Sequence, residues 1–201
     1  MSVYTALAFV LPEELQENIQ KIRRNYDKAY KWWPPHINFF FPFIQKYQID
    51  ENMIKQISNA LANIKPFKAT FDNINFFNFG KGKPITIWLG PQDLKPFEEI
   101  FNALRPLFPR LKVKSKNFTP HLTLAQKNYF QFRKCQERYK KEIGPIECTI
   151  DSIQILTRYP DSAFETKWTI YFDGKEPVCH KKEDDITDED ILSDEDDETD
   201  E

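Results

Sequence analysis

Three side chains in this sequence can gain and lose a proton near neutral pH, the histidines His36, His121 and His180. Two of them stand in matching frames. His36 lies in Trp33-Pro34-Pro35-His36-Ile37-Asn38-Phe39-Phe40-Phe41-Pro42-Phe43, and His121 in Phe118-Thr119-Pro120-His121-Leu122-Thr123-Leu124-Ala125-Gln126. Both read Pro-His-apolar-(Asn or Thr)-apolar. Alternation after each histidine is the pattern of a strand with one face on a core. Successive strand side chains point to opposite faces, so His36 and Asn38 share one face, with Ile37, Phe39 and Phe41 on the other. Likewise His121 and Thr123 lie opposite Leu122 and Leu124. The proline before each histidine lacks an N–H and fits the first residues of a strand.

Two imidazoles facing one cleft can act as base and acid on a phosphodiester. The neutral one takes a proton from an attacking water or ribose hydroxyl, and the protonated one gives its proton to the leaving oxygen. Attack and departure are in line across phosphorus, so the two rings should oppose each other. Asn38 and Thr123 can donate hydrogen bonds to the non-bridging oxygens. Each acid–base group typically adds roughly 10²–10⁴-fold in rate, and one well-placed donor roughly 10²–10³-fold. This chemistry calls for no metal and no cofactor, and the sequence lacks the convergent Asp, Glu and His clusters of a metal site.

The elements that must position these residues follow from periodicity. Tyr4 to Leu11 reads as a strand. Pro12 then opens a helix with the apolar stripe Leu15, Ile19, Ile22, Tyr26. Its basic cluster Lys21-Ile22-Arg23-Arg24 is explained by the helix dipole. Residues 50–63 read as a helix, Phe67 to Phe79 as a strand, Gly80 to Pro84 as a turn and Ile85 to Leu89 as a strand. Asp93 caps a helix carrying Phe97, Ile100, Phe101 and Leu104, and residues 128–141 are helical. Ile146 to Leu156 and Thr166 to Phe172 alternate as two paired strands. Strand, helix, histidine strand, helix, strand over residues 3–79 thus recurs over 85–157. A duplicated unit docked on itself about a pseudo-two-fold axis would bring the histidine strands to one cleft.

The 201 residues are 40% hydrophobic and 15% aromatic, with 18 Phe, enough for a packed core. Trp32, Trp33, Tyr4 and most phenylalanines read as core, although any one could stack on a base. The net charge of −3 hides an asymmetry. Residues 181–201 hold two Lys against thirteen Asp and Glu, whereas residues 1–180 carry a charge of +8. A basic body suits an anionic partner such as a nucleotide or RNA, and equally fits ordinary surface lysine. Arg158, just past an apolar strand, reads as a surface arginine that could touch phosphate. Cys135, Cys148 and Cys179 have no metal spacing and read as the reduced thiols of an intracellular protein, cytoplasmic with the nucleus left open. The N-terminus lacks a signal-peptide pattern, and no apolar run is long enough to span a membrane. The chain is taken as a monomer. Residues 1–175 form the domain, and residues 176–201 a disordered acidic tail. Thr187 and Ser193 in that tail have the acidic surroundings of kinase sites, and the tail itself could bind a basic partner or compete with phosphate.

The two histidine motifs resemble those of the 2H phosphoesterase superfamily, which includes 2′-5′ RNA ligase-like proteins, cyclic phosphodiesterases and phosphodiesterases that degrade 2′-5′ oligoadenylates. The family pattern is His-x-(Ser/Thr)-x, twice, between hydrophobic flanks, and it is met here by Pro35-His36-Ile37-Asn38 and Pro120-His121-Leu122-Thr123. The resemblance covers residues 3–174. It implies an α+β fold of two lobes, with two antiparallel sheets around a central groove and helices outside. It also implies His36 and His121 as the acid–base pair, with Asn38 and Thr123 on phosphate. The substrates it implies are 2′,3′-cyclic phosphates or 2′-5′-linked oligonucleotides, with ligation as the same chemistry reversed. Asn38 departs from the family pattern, where Ser or Thr is usual. A non-catalytic RNA- or nucleotide-binding module that keeps the groove is the alternative this departure favours.

Overall fold

The computed structural model describes residues 1–111 and 118–180. Nine strands and four α-helices run β1 (Thr5–Val10), α1 (Glu17–Tyr26), β2 (His36–Phe40), α2 (Glu51–Leu61), β3 (Phe67–Phe77), β4 (Ile85–Pro91), α3 (Lys95–Leu104), β5 (Leu122–Lys127), α4 (Tyr129–Ile143), β6 (Ile146–Ile150), β7 (Ser152–Thr157), β8 (Glu165–Tyr171) and β9 (Val178–Cys179). The fold is α+β with two antiparallel sheets, ordered β2-β1-β7-β8-β9 and β5-β4-β3-β6. The first repeat gives its histidine strand β2 to the edge of one sheet and β3 to the other; the second gives β5 to the edge of that other sheet, keeps β6 in it, and sends β7 to the first. β3 of the first repeat pairs with β4, and β7 of the second pairs with β1. The two repeats are therefore interlocked, and both histidine strands are edges.

Several boundaries differ from the sequence reading. A single 3₁₀ turn, Glu13–Leu15, precedes α1, so Pro12 opens that turn and not the helix. Asp93 accepts a bond from the Lys95 amide at 3.0 Å, but the residue flanking α3 is Leu94. The alternating run from Ile146 to Leu156 breaks at Asp151 into β6 and β7, which belong to different sheets. Periodicity is blind to such a break because both halves keep a core face. Residues 178 and 179, expected within the tail, form β9, which pairs Cys179 with Trp168 and Val178 with Thr169. Residues 181–201, with the acidic segment, Thr187 and Ser193, lie outside the described residues.

The main core gathers phenylalanine rings from both sheets and the helices. Phe97 of α3 meets Phe67 and Phe71 of β3, and Phe101 stacks on Phe40 of β2 and on Phe118. Fully burying one such side chain contributes about 1.5–3 kcal/mol. Helix ends are tied by Asp50, whose carboxylate accepts from the Met53 amide at 2.8 Å, and by a capping box at Asn128 and Gln131. Each such cap stabilises by about 1 kcal/mol.

Candidate active site

Each histidine is aimed by the same local device. The Nδ1 of His36 lies 2.7 Å from the Pro34 carbonyl, and the Nδ1 of His121 lies 2.7 Å from the Thr119 carbonyl. A carbonyl can only accept, so Nδ1 carries a proton in both rings and Nε2 is left to the cleft. His36 opens β2, while His121 stands one residue ahead of β5. Immediately after each motif the pairing slips. Ala8 faces Asn38 and Leu7 faces Phe40; Trp88 faces Thr123 and Ile87 faces Ala125. These matched β-bulges follow Asn38 and Thr123 at equivalent points of the two repeats, and bulges of this kind re-aim side chains at functional sites. They also revise the alternation. Phe39 and Phe40 are both core, and Phe41, expected on the core face, is 36% exposed beside Trp33. Leu124 and Ala125 are likewise both buried, which returns Gln126 to the face of Thr123.

The environments of the two rings differ. Burial holds His36 down to about 4, helped by the nearby charges of Arg23 and His121 and opposed by its Pro34 bond and by Asp27. The two motifs also touch: β2 lies against β5, and Phe39 stacks on Phe118 with ring centroids 5.3 Å apart. Burial also lowers His121, opposed by its bond to Thr119. Trp33 stacks on His36 with ring centroids 4.2 Å apart, while Phe77 meets His121 edge-on at 4.8 Å and Trp88 lies at 6.1 Å. Asn38 Nδ2 sits 2.8 Å from His36 Nε2 and donates to it, leaving Asn38 Oδ1 buried without a partner. Trp88 Nε1, on the wall beside His121, is also buried without one. An orphaned buried polar atom costs about 1–3 kcal/mol.

A buried ion pair that periodicity alone did not single out links the two motifs. Arg23 Nε donates to Asp27 Oδ2 at 2.7 Å, with both side chains almost wholly buried. Arg23 Nη2 donates to the Trp33 carbonyl at 2.9 Å, and Gln126 Nε2 donates to Asp27 Oδ1 at 3.1 Å. Gln126 Oε1 in turn accepts from the Lys28 amide at 2.9 Å. The end of α1 thereby grips the lead-in to His36 on one side and the strand of His121 on the other. Dipole stabilisation explains Arg24, which is exposed, but not Arg23. Spacing Arg23 and Asp27 at i, i+4 was a visible signal, although the tertiary partners were not.

The remaining expected residues fall as follows. Thr123 lies on β5, opposite Trp88 and half-buried. His180 follows β9 at the far edge of the sheet from β2, with Nε2 2.9 Å from Thr169 Oγ1, and takes no part in the pair. Arg158 is not a free surface arginine. Its guanidinium is half-buried among Tyr4, Trp32 and Phe164, 5.2–5.6 Å from their ring centres. Burial pushes the Cys148 thiol up to about 11, so it stays protonated and unreactive at neutral pH. Among the described residues no three or more His, Cys, Asp or Glu side chains converge, and no helix is long and apolar enough to cross a membrane.

Residues 11–162 match the 2'-5' RNA ligase superfamily. The chain belongs to this superfamily. A protein of Halalkalibacterium halodurans that bears the name "Putative phosphoesterase" is 24% identical over 160 residues, 78% of this chain and 88% of the relative. A protein of the same name from Geobacillus kaustophilus is 22% identical, over 83% of this chain and 95% of its own length. In fold, the chain resembles TT0787 of Thermus thermophilus, with a TM-score of 0.57 at 16% identity over 86% of this chain and all of that one. It also resembles E. coli LigT, solved in complex with 3'-AMP, with a TM-score of 0.50 at 14% identity over 89% of this chain and 98% of LigT.

Proposed function

We propose that this chain is a phosphodiesterase that hydrolyses RNA-type phosphodiesters, namely 2′,3′-cyclic phosphates or 2′-5′-linked oligonucleotides, by two-histidine acid–base catalysis. The observation that carries the reading is the matched pair of edge strands, packed against each other, each with a histidine anchored through Nδ1 to a carbonyl so that Nε2 is the free nitrogen for chemistry. His36, the ring with the stronger reason to stay neutral, is the base and His121 the acid. For a cyclic phosphate, His36 Nε2 takes the proton of the attacking water as oxygen bonds to phosphorus. His121 Nε2 gives its proton to the departing ribose oxygen, and a phosphate monoester results. Thr123 Oγ1 donates to a non-bridging oxygen. Asn38 has two duties. In the resting state its Nδ2 donates to neutral His36; once Nε2 holds a proton, rotation of the amide brings Oδ1 in as the acceptor and frees Nδ2 for phosphate. A nucleotide substrate agrees with the bound 3'-AMP of E. coli LigT.

The test is a panel of cyclic phosphates and 2′-5′ oligoadenylates, run with a chelator present, on the wild type and on His36→Ala and His121→Ala. Each variant should lose at least about 10²-fold in kcat while keeping the wild-type melting temperature. Undiminished turnover in either variant rejects the assignment. A second reading is favoured by the amide of Asn38 occupying His36 Nε2: a groove that binds nucleotides without cleaving them. Binding of the whole panel with no product formed would establish it.

A further inference from the structure

Beside the histidine pair lies an open cavity of about 480 Å³, separated from His36 by the indole of Trp33. Both faces of Trp33 are covered, by His36 at 4.2 Å and by Phe164 at 3.7 Å, so this ring is a partition. Trp32 and Phe41 also line the cavity, and they are 38% and 36% exposed although they are among the largest apolar side chains. Such exposure is the ordinary state of a platform that a planar ligand covers. The polar groups are two cations and one carboxylate: Lys28, Arg158 and, on the exposed loop after β7, Asp161. Arg158 is the telling one. Aromatic rings hold its guanidinium in place, and its Nε is buried with no hydrogen-bond partner. A planar guanidinium held in place at the wall of a cavity matches a phosphate or carbonyl oxygen. Phe41 stands five residues past His36 as Gln126 stands five past His121. Gln126 closes its side of the cleft by bonding to Asp27 and Lys28, whereas Phe41 leaves its side open.

We propose that this cavity is a second nucleotide subsite, which takes the nucleotide flanking the scissile phosphate. Trp32 and Phe41 stack against its base, Arg158 and Lys28 meet its phosphate, and Asp161 accepts from a ribose hydroxyl or an exocyclic amine. The inference rests on the phosphodiesterase reading and narrows it: the preferred substrate is an oligonucleotide end, not a mononucleotide.

The experiment compares a mononucleotide 2′,3′-cyclic phosphate with the dinucleotide ending in the same cyclic phosphate, using the full chain. The bond broken is the same in both. The KM of the dinucleotide should be about tenfold lower or more, the effect of one stacked base, with kcat similar. Trp32→Ser and Lys28→Gln both change exposed positions, and each should raise the KM of the dinucleotide toward that of the mononucleotide. Equal KM for the two lengths in the wild type overturns the subsite, as does a length advantage that survives Trp32→Ser. Should neither compound be turned over, cyclic phosphates are removed from the phosphodiesterase reading. The same comparison is then read as equilibrium Kd of the two uncleaved compounds: a dinucleotide advantage lost in Trp32→Ser supports the subsite, and equal affinities overturn it.

Discussion

At the scale of single residues, the site is defined by how little freedom its histidines keep. Nδ1 of each is tied to a carbonyl two residues earlier, and Nε2 alone is offered to the cleft. Their protonation then sets the pH dependence. The proposed mechanism needs His36 neutral and His121 charged in the free enzyme. With His36 held near 4 and His121 below its ordinary 6.5, kcat/KM should rise through about pH 4 and fall before pH 6.5. A bell on the acidic side of neutrality is expected, and a maximum above pH 8 contradicts the assignment. Stability should follow the same ring. Because the folded state disfavours charged His36, stability is full above pH 6.5 and is lost as pH falls toward 4. Urea titrations of His36→Asn against the wild type should show a flatter loss over that window. At Asn38, Asn38→Ala removes the side chain that donates to His36 Nε2 and should lower kcat by roughly 10²-fold. Asn38→Thr, which installs the hydroxyl usual in the family, should keep most of it. Equal activity of the Ala variant would show that the amide has no part in the reaction.

At the scale of elements, α1 matters more than its surface suggests. Its final turn holds Arg23 and Asp27, which bond to the lead-in of β2 and to Gln126 of β5. Breaking a buried pair by removing one partner costs about 3–5 kcal/mol, because it strands the other charge. Asp27→Ala should therefore lower the melting temperature by roughly 10 °C in calorimetry. Gln126→Leu strands no charge. It should cost little stability but lower kcat, since it releases β5 from the helix that also anchors Trp33. A kcat equal to wild type would mean that the strands hold the pair in place without the clamp. The matched bulges belong to this scale as well, for they are what lets each edge strand carry a polar pair and then two consecutive core residues.

At the scale of the whole molecule, the interlocked repeats explain why two motifs 85 residues apart meet. Each sheet borrows a strand from the other repeat, so neither half can form its sheet alone, and the histidine strands β2 and β5 are brought against each other. Electrostatics also act at this scale. Residues 1–180 carry +8 and residues 181–201 carry −11. If the acidic segment competes with phosphate for the basic body, a chain ending at His180 should show a lower KM than the full chain at low salt, and the difference should vanish as salt screens it. Equal KM for the two chains at low salt would assign that segment another role.

The histidine pair, Asn38, Thr123 and the repeated order of elements were legible in the sequence, because strand alternation is local and the Pro-His frames occur twice. The bulges were not, since a register slip depends on the strand opposite. The Arg23–Asp27–Gln126 clamp, the break at Asp151 and the cage around Arg158 were equally hidden, because each joins groups far apart in the chain. The sequence by itself determined which side chains could move a proton. Only the tertiary structure decided how strongly burial keeps each neutral, what aims it and what lies beside it, since desolvation and long-range contact come into being when the chain folds.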